Sequence, residues 1–351
     1  MANNVSDNRR FLANAIGKTQ YIRTDEIREI LKNLEFDLKN KSAAELRGDL
    51  SSAVRNNNLE AIKLVLECEH DKYYKYQVHF EYDYEELIEK IEELIDEGNV
   101  LEEGEEEYYH QLIMNPIVYY YYDDDDITAV DLKFSNTVGT RADTADTIKF
   151  PIIVSFYIDE GIMLIKHGAL PEDYVRKGVY ISKINQVRSW ISRFITPGYS
   201  EINCFEIFER INQDIENEPE LIDDRVTKYS VKMDDAFGGR INLRATDEDC
   251  LPILSQLIEL AEAFNNEDDK NSLIEFVENI EEDAFIIQRG LKWHVPNGSL
   301  KPIEYIDVIR RVYDVDGEGN LLPLFIQHHI HSEAINRERT DHVIRFIAQY
   351  L

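Results

Sequence analysis

The chain has 351 residues, 43% hydrophobic and 11% aromatic: enough apolar material for more than one core, and too many aromatics for wholesale disorder. With 69 Asp+Glu against 38 Lys+Arg it carries a net charge of −31 at pH 7, so most of its surface repels polyanions. It holds no apolar run of about 18 residues to span a membrane, no apolar stretch between Met1 and Leu12 to act as a secretory signal, and three cysteines without CxxC spacing, which read as reduced thiols. A cytoplasmic protein without a membrane partner is the expectation.

The acid is unevenly placed. Residues 1–63 hold 11 Lys+Arg against 9 Asp+Glu, and the remaining residues hold 27 against 60. A phosphate backbone is therefore tolerated only near the N-terminus.

The first periodic segment begins at Thr24, read as an N-cap before Asp25 and Glu26, with Ile27, Ile30, Leu31 and Leu34 at helical spacing. Glu35 to Lys41 lacks that period. Ser42 caps a second helix, with Glu45 at the capping-box position and Leu46, Leu50 and Val54 following. Asn56-Asn57-Asn58 closes it, and a third helix is expected from Leu59 to Glu67.

Residues 72–82 are aromatic and loosely alternating, which indicates a strand, and Tyr84 to Glu97 is an amphipathic helix. Residues 81–107 contain 14 acids and one base, Lys90: a solvated face, or a docking surface for a basic protein partner. Asp123 to Asp126 reads as an exposed acidic loop without EF-hand spacing.

Strands are expected at Ala129–Phe134, Thr147–Ile158 and Gly161–Lys166, the last two joined as a hairpin through Asp159-Glu160-Gly161. The near-continuous apolar character of Ile152–Ile158 places that strand at the centre of the main fold. Beyond it, helices are expected at Ile181–Phe194, Ile202–Glu216, Cys250–Phe264, Lys270–Gln288, Pro302–Val312 and Ser332–Leu351. Strands at Val226–Lys232 and Arg240–Arg244 flank a Gly238-Gly239 turn, and a Gly-rich turn at 314–320 precedes the apolar run Leu321–Gln327.

The fold class is α+β: a small N-terminal helical module, then a mixed body with an antiparallel β-hairpin core and a helix-rich C-terminal half. Divisions are expected at 1–68 (helical module), 69–122 (acidic, helix-containing), 123–245 (α+β core) and 246–351 (mainly helical).

Glu26-Ile27-Arg28-Glu29-Ile30-Leu31-Lys32-Asn33-Leu34, a connection carrying Lys39 and Lys41, and Ala44-Glu45-Leu46 with Leu50 together resemble the SAP-type helix–extended–helix family, over about residues 24–55. Glu35 stands where that family has a glycine after the first helix, the connection is one residue longer, and Asp49 stands where a base is frequent. The resemblance implies DNA binding through phosphate contacts, and the donors are Lys39, Lys41, Arg47 and Arg55.

His329-Ile330-His331 fits the His-hydrophobic-His pattern that holds a metal in HUH-type endonucleases, since residues two apart in a strand share a face. There is no GxxxxGK[ST], no GxGxxG after a strand, no GxSxG and no HExxH, and no cofactor is indicated. Three functions stay open: a non-enzymatic adaptor that touches DNA through residues 1–63 and proteins through its acidic surface, an acidic nucleic-acid-mimicking decoy, and a metal-dependent phosphodiesterase centred on His329 and His331. Several helices are apolar enough to pair, which allows a homo-oligomer without specifying its state.

Overall fold

The structure, a computed structural model, describes residues 2–18, 21–71, 74, 76–83, 85–102, 115–140, 146–195, 198–217, 226–234, 240–244, 260–261, 264, 266–283, 285–294, 305–315, 321–328 and 337–351. The fold is α+β, and the chain divides into two units, Met1–Ile202 and Asn203–Leu351. That division coincides with none of the boundaries expected at 68, 122 and 245. The reason is that the N-terminal helices share a core with the sheet that follows them.

The first unit opens with four helices: α1 (Ala2–Ile16), α2 (Thr24–Asn33), α3 (Ala43–Arg55) and α4 (Leu59–Asp71). Ser42 and Glu45 form the expected capping box, the Ser42 hydroxyl accepting from the Glu45 N–H at 3.3 Å and the Glu45 carboxylate from the Ser42 N–H at 2.8 Å. At α2 the cap position is Arg23 rather than Thr24: the Glu26 carboxylate accepts from the Arg23 N–H at 2.7 Å, and Thr24 is already helical.

Helix α2 ends in a Schellman motif, Glu35 N–H bonding to Lys32 O and Phe36 N–H to Leu31 O, which requires a left-handed residue. Glu35 takes it at φ 60°, and Asn57 does the same after α3 at φ 62°. Ile27, Ile30 and Leu31 of α2 and Leu46, Leu50 and Val54 of α3 are buried against each other and their neighbours.

A mixed seven-stranded sheet follows among the described residues, in the order β2-β3-β4-β5-β6-β1-β7. Its strands are β1 (Tyr76–Tyr82), β2 (Leu101–Glu102), β3 (Ile117–Asp123), β4 (Asp126–Gly139), β5 (Thr147–Tyr157), β6 (Ile162–His167) and β7 (Tyr199–Glu201). Only β2 runs parallel to its neighbour. Strand β5 lies at the centre as expected, and its residues from Ile148 to Tyr157 are all buried. The β5–β6 turn uses Gly161 at φ 62°, and Asp124-Asp125 make a two-residue turn between β3 and β4 with Asp124 at φ 52°. Asp123 to Asp126 are all exposed.

The two faces of this sheet differ sharply. One row across it reads Leu132, Val154, Ile165 and Val78, the next along the same face Phe134, Ile152, His167 and Tyr76. That apolar face meets α6 (Val179–Phe194), where Trp190 packs edge-on to Phe134 at 5.2 Å and Tyr180 stacks on His167 at 4.9 Å. Helix α5 (Leu87–Asp96) buries Leu87, Ile91 and Leu94.

The other face carries Asp131 and Ser155 in register in one row, and Lys133, Lys166 and Gln77 in another. All five are buried. Helix α4 supplies the matching charge. Glu69, fully buried, receives Lys149 Nζ at 2.6 Å and Lys133 Nζ at 3.3 Å on Oε2, and the Tyr21 hydroxyl on Oε1. Lys133 Nζ also donates to Leu66 O at 2.9 Å. Asp131 accepts from the Ser155 hydroxyl, and its Oδ2 lies 3.3 Å from Tyr121 OH, 3.4 Å from His70 Nε2 and 3.8 Å from Lys166 Nζ. The helix was expected to end at Glu67, one turn short of Glu69 and His70.

In the second unit, α7 (Cys204–Asn217), α8 (Glu267–Asp283) and α9 (Arg337–Ala348) accompany an antiparallel sheet in the order β12-β11-β10-β8-β9. Its strands are β8 (Val226–Asp234), β9 (Arg240–Arg244), β10 (Phe285–His294), β11 (Tyr305–Val315) and β12 (Leu321–His328). Trp293, fully buried, meets Phe208 of α7 at 5.9 Å and Phe346 of α9 at 6.0 Å.

Two helical expectations are corrected here. Lys270–Gln288 breaks at Asp283 and continues as β10, and Pro302–Val312 is strand β11. Ile306, Ile309 and Val312 do fall at helical spacing, but a run so rich in Ile, Val and Tyr packs better on a pleated surface. Residues 246–351 are therefore not mainly helical in their described part. The expected helix Cys250–Phe264 lies almost wholly outside the described residues.

His167 is fully buried, and among the described residues its Nε2 has no hydrogen-bond partner. Burial pushes its pKa down to about 4. The unfolded chain therefore binds the proton first, and stability falls as pH drops from about 6.5 toward 4. His167→Phe keeps the aromatic stack and removes this linkage. Urea unfolding at pH 7 and pH 5 is expected to show the wild type losing about 2 kcal/mol more than the variant over that interval.

Candidate nucleic-acid interface

Helix α1 buries Leu12, Ala13, Ala15 and Ile16, leaving Arg9, Arg10 and Asn14 half-buried or exposed along its other side. Arg10 and Asn14 are four residues apart and share a face. Arg55, the last residue of α3, comes alongside because the Ser51 hydroxyl donates to Ala13 O at 2.9 Å and fixes α3 against α1. The four side chains Arg9, Arg10, Asn14 and Arg55 line a recess of about 270 Å³.

Asn14 is held at both ends of its amide. Its Nδ2 donates to Thr147 O at the start of β5 at 3.1 Å, and its Oδ1 accepts from Arg55 Nη2 at 2.9 Å. No ion pair joins Arg9 or Arg55 to a carboxylate whose side chain is described. Three guanidinium groups thus converge on one concave spot of a chain with net charge −31. Planar guanidinium forks match phosphate oxygens, and they hold their charge at every accessible pH.

Of the four donors expected from the sequence, the structure brings only Arg55 into this recess. Lys39 is exposed in the α2–α3 connection, where its backbone N–H bonds to Asp37 Oδ1 at 3.0 Å. Lys41 Nζ is paired with Asp49 Oδ2 at 2.6 Å, so its charge is neutralised locally. Arg47 is corrected outright. Only 7% exposed, it donates from Nη1 to Ile22 O at 2.8 Å and from Nη2 to Thr24 Oγ1 at 3.0 Å. Burial lowers its pKa from the usual guanidinium value. It stitches α3 to the entry of α2 and presents nothing to a ligand.

Arg9, Arg10 and Asn14 are not legible as a group from the sequence, because α1 carries only a weak helical pattern. The available signal was Leu12 and Ile16 at four-residue spacing with Ala13 and Ala15 beside them. His329 and His331 lie outside the described residues, and among those described no group of three or more His, Cys, Asp or Glu is placed to hold a metal ion. No described helix is long and apolar enough to cross a membrane.

No protein-family model, curated protein or solved structure matches the chain.

Arg47→Leu leaves Ile22 O without its donor inside the helical module. It is expected to lower unfolding stability by about 1–3 kcal/mol, read by urea denaturation, since an orphaned buried carbonyl pays its desolvation. If Arg47 served a ligand instead, the variant would keep the stability of the wild type.

Proposed function

We propose that the protein is a non-enzymatic, nucleic-acid-associated adaptor whose N-terminal helices contact a phosphate backbone and whose acidic body contacts other proteins. The observation that carries this reading is the convergence of Arg9, Arg10 and Arg55 on one recess. Two further features support it. Residues 1–63 are close to charge balance while the rest of the chain is strongly acidic, so an approaching polyanion meets least repulsion there. The α2–α3 pair also has the helix–connection–helix order of the SAP-like pattern, and Glu35, at the position where that family has glycine, takes the left-handed conformation that glycine favours.

The body's share of the proposal rests on charge. Asp123 to Asp126 stand exposed at the tip of the β3–β4 turn, and the acid-rich stretch around α5 exposes Glu89, Glu92, Glu93 and Glu97. Surfaces of this kind favour a basic protein partner and speed its approach at low salt.

The experiment is fluorescence anisotropy of a labelled DNA duplex with the full-length chain over a salt series. Binding is expected to weaken linearly in log Kd against log salt, and Arg9→Gln/Arg55→Gln should flatten the slope by roughly 0.9 per phosphate contact removed. Absence of salt-sensitive binding by the wild type at low ionic strength sinks the nucleic-acid half of the proposal.

A further inference from the structure

The recess between α1 and α3 differs from a patch of surface arginines in one respect: one of its guanidinium groups is held in place by the fold. The anchor is Asn14, whose amide bridges Thr147 O of β5 and Arg55 Nη2. With both ends of its amide engaged, Asn14 links Arg55 to helix α1 and to β5 and biases the Arg55 fork toward one orientation before any ligand arrives. Preorganisation of this sort removes the rotamer entropy that a free arginine gives up on binding.

The shape of the recess selects the chemistry. At about 270 Å³, it is lined among the described residues by three arginines and one asparagine, with no aromatic ring for stacking a base. Base edges lie recessed in the grooves of a duplex and are read by elements that protrude into them. Phosphate groups are the outermost, convex, charged points of the same molecule, and a concave cationic hollow fits those.

We infer that this recess is a backbone-phosphate site in which Arg9 and Arg55 contact the phosphodiester oxygens and Asn14 is the positioning residue that presents Arg55. The inference rests on the nucleic-acid reading above and goes beyond it by naming the ligand group and the residue that organises the site. Because the contacts go to phosphate, binding is independent of base sequence.

The test is a double-mutant cycle on full-length protein, with labelled duplexes of two unrelated sequences as probes. Arg55→Gln should weaken binding roughly eightfold at 0.1 M salt and lower the salt slope by about 0.9. Asn14→Ala should weaken it about three- to tenfold, through the rotamer freedom returned to Arg55, with the slope unchanged because no charge is lost. In the Arg55→Gln background Asn14→Ala should then cost nothing. Asn14→Asp, nearly isosteric, places a carboxylate against Arg55 and should reproduce the loss seen for Arg55→Gln.

Equal losses from Asn14→Ala in both backgrounds would overturn the positioning role, since a merely structural residue acts whether or not Arg55 is present. Duplex binding that is intact in all of these variants places the nucleic-acid surface elsewhere, overturning this site while leaving the adaptor reading standing. A strong preference between the two duplex sequences contradicts phosphate readout. Arg55-dependent binding of inorganic phosphate by a protein that binds neither duplex overturns both the adaptor reading and the polynucleotide as ligand.

Discussion

A single carboxylate sets the arrangement of the first unit. Glu69 leaves water completely, and its position is tolerable only because Lys149, Lys133 and the Tyr21 hydroxyl converge on it. Burying an ion costs several kcal/mol, and the partners offset that cost only when geometry and hydrogen bonds are both supplied. Lys133 meets this demand twice, through Glu69 and through Leu66 O. The same pairing works in reverse: one face of the sheet carries three buried lysines that would be prohibitive without an acidic lid. Helix α4 is that lid, and few registers of helix on sheet satisfy every member.

This constraint explains why the N-terminal helices are not a detachable head. Apolar packing alone accepts small shifts, whereas a buried charge network loses several kcal/mol when one partner moves out of reach. Helix α1 is held to the same sheet by Asn14 and to α3 by Ser51, so the arginine recess is built on a rigid base. The acidic remainder of the chain meanwhile keeps anions away from most other surfaces.

Local rules were legible and long-range polar partnerships were not. The Ser42–Glu45 box, the Gly161 turn and the central burial of β5 all follow from neighbouring residues or from unbroken apolar character. The end of α4 did not, because Glu69 and His70 extend the helix toward partners 48 to 80 positions away, at Tyr21, Asp131, Lys133 and Lys149. Strand β11 was hidden by apolar residues that suit either period. Arg47 shows the same limit in the candidate site: its sequence neighbourhood allows a phosphate ligand, and only the fold reveals Ile22 O as its acceptor. Arg55 was identifiable as a base at a helix end, but its neighbours Arg9 and Arg10 belong to a helix whose apolar face is too short to announce itself.

The anchoring role of Glu69 is tested most directly by hydrogen–deuterium exchange on Glu69→Gln, an isosteric change that removes the charge and leaves Lys149 and Lys133 buried without it. Amides of α4, of β4 and β5, and of α1 through α3 are expected to lose protection together, because they share one electrostatic anchor. Loss confined to the last turn of α4, with the sheet and the other helices protected as in the wild type, would contradict it.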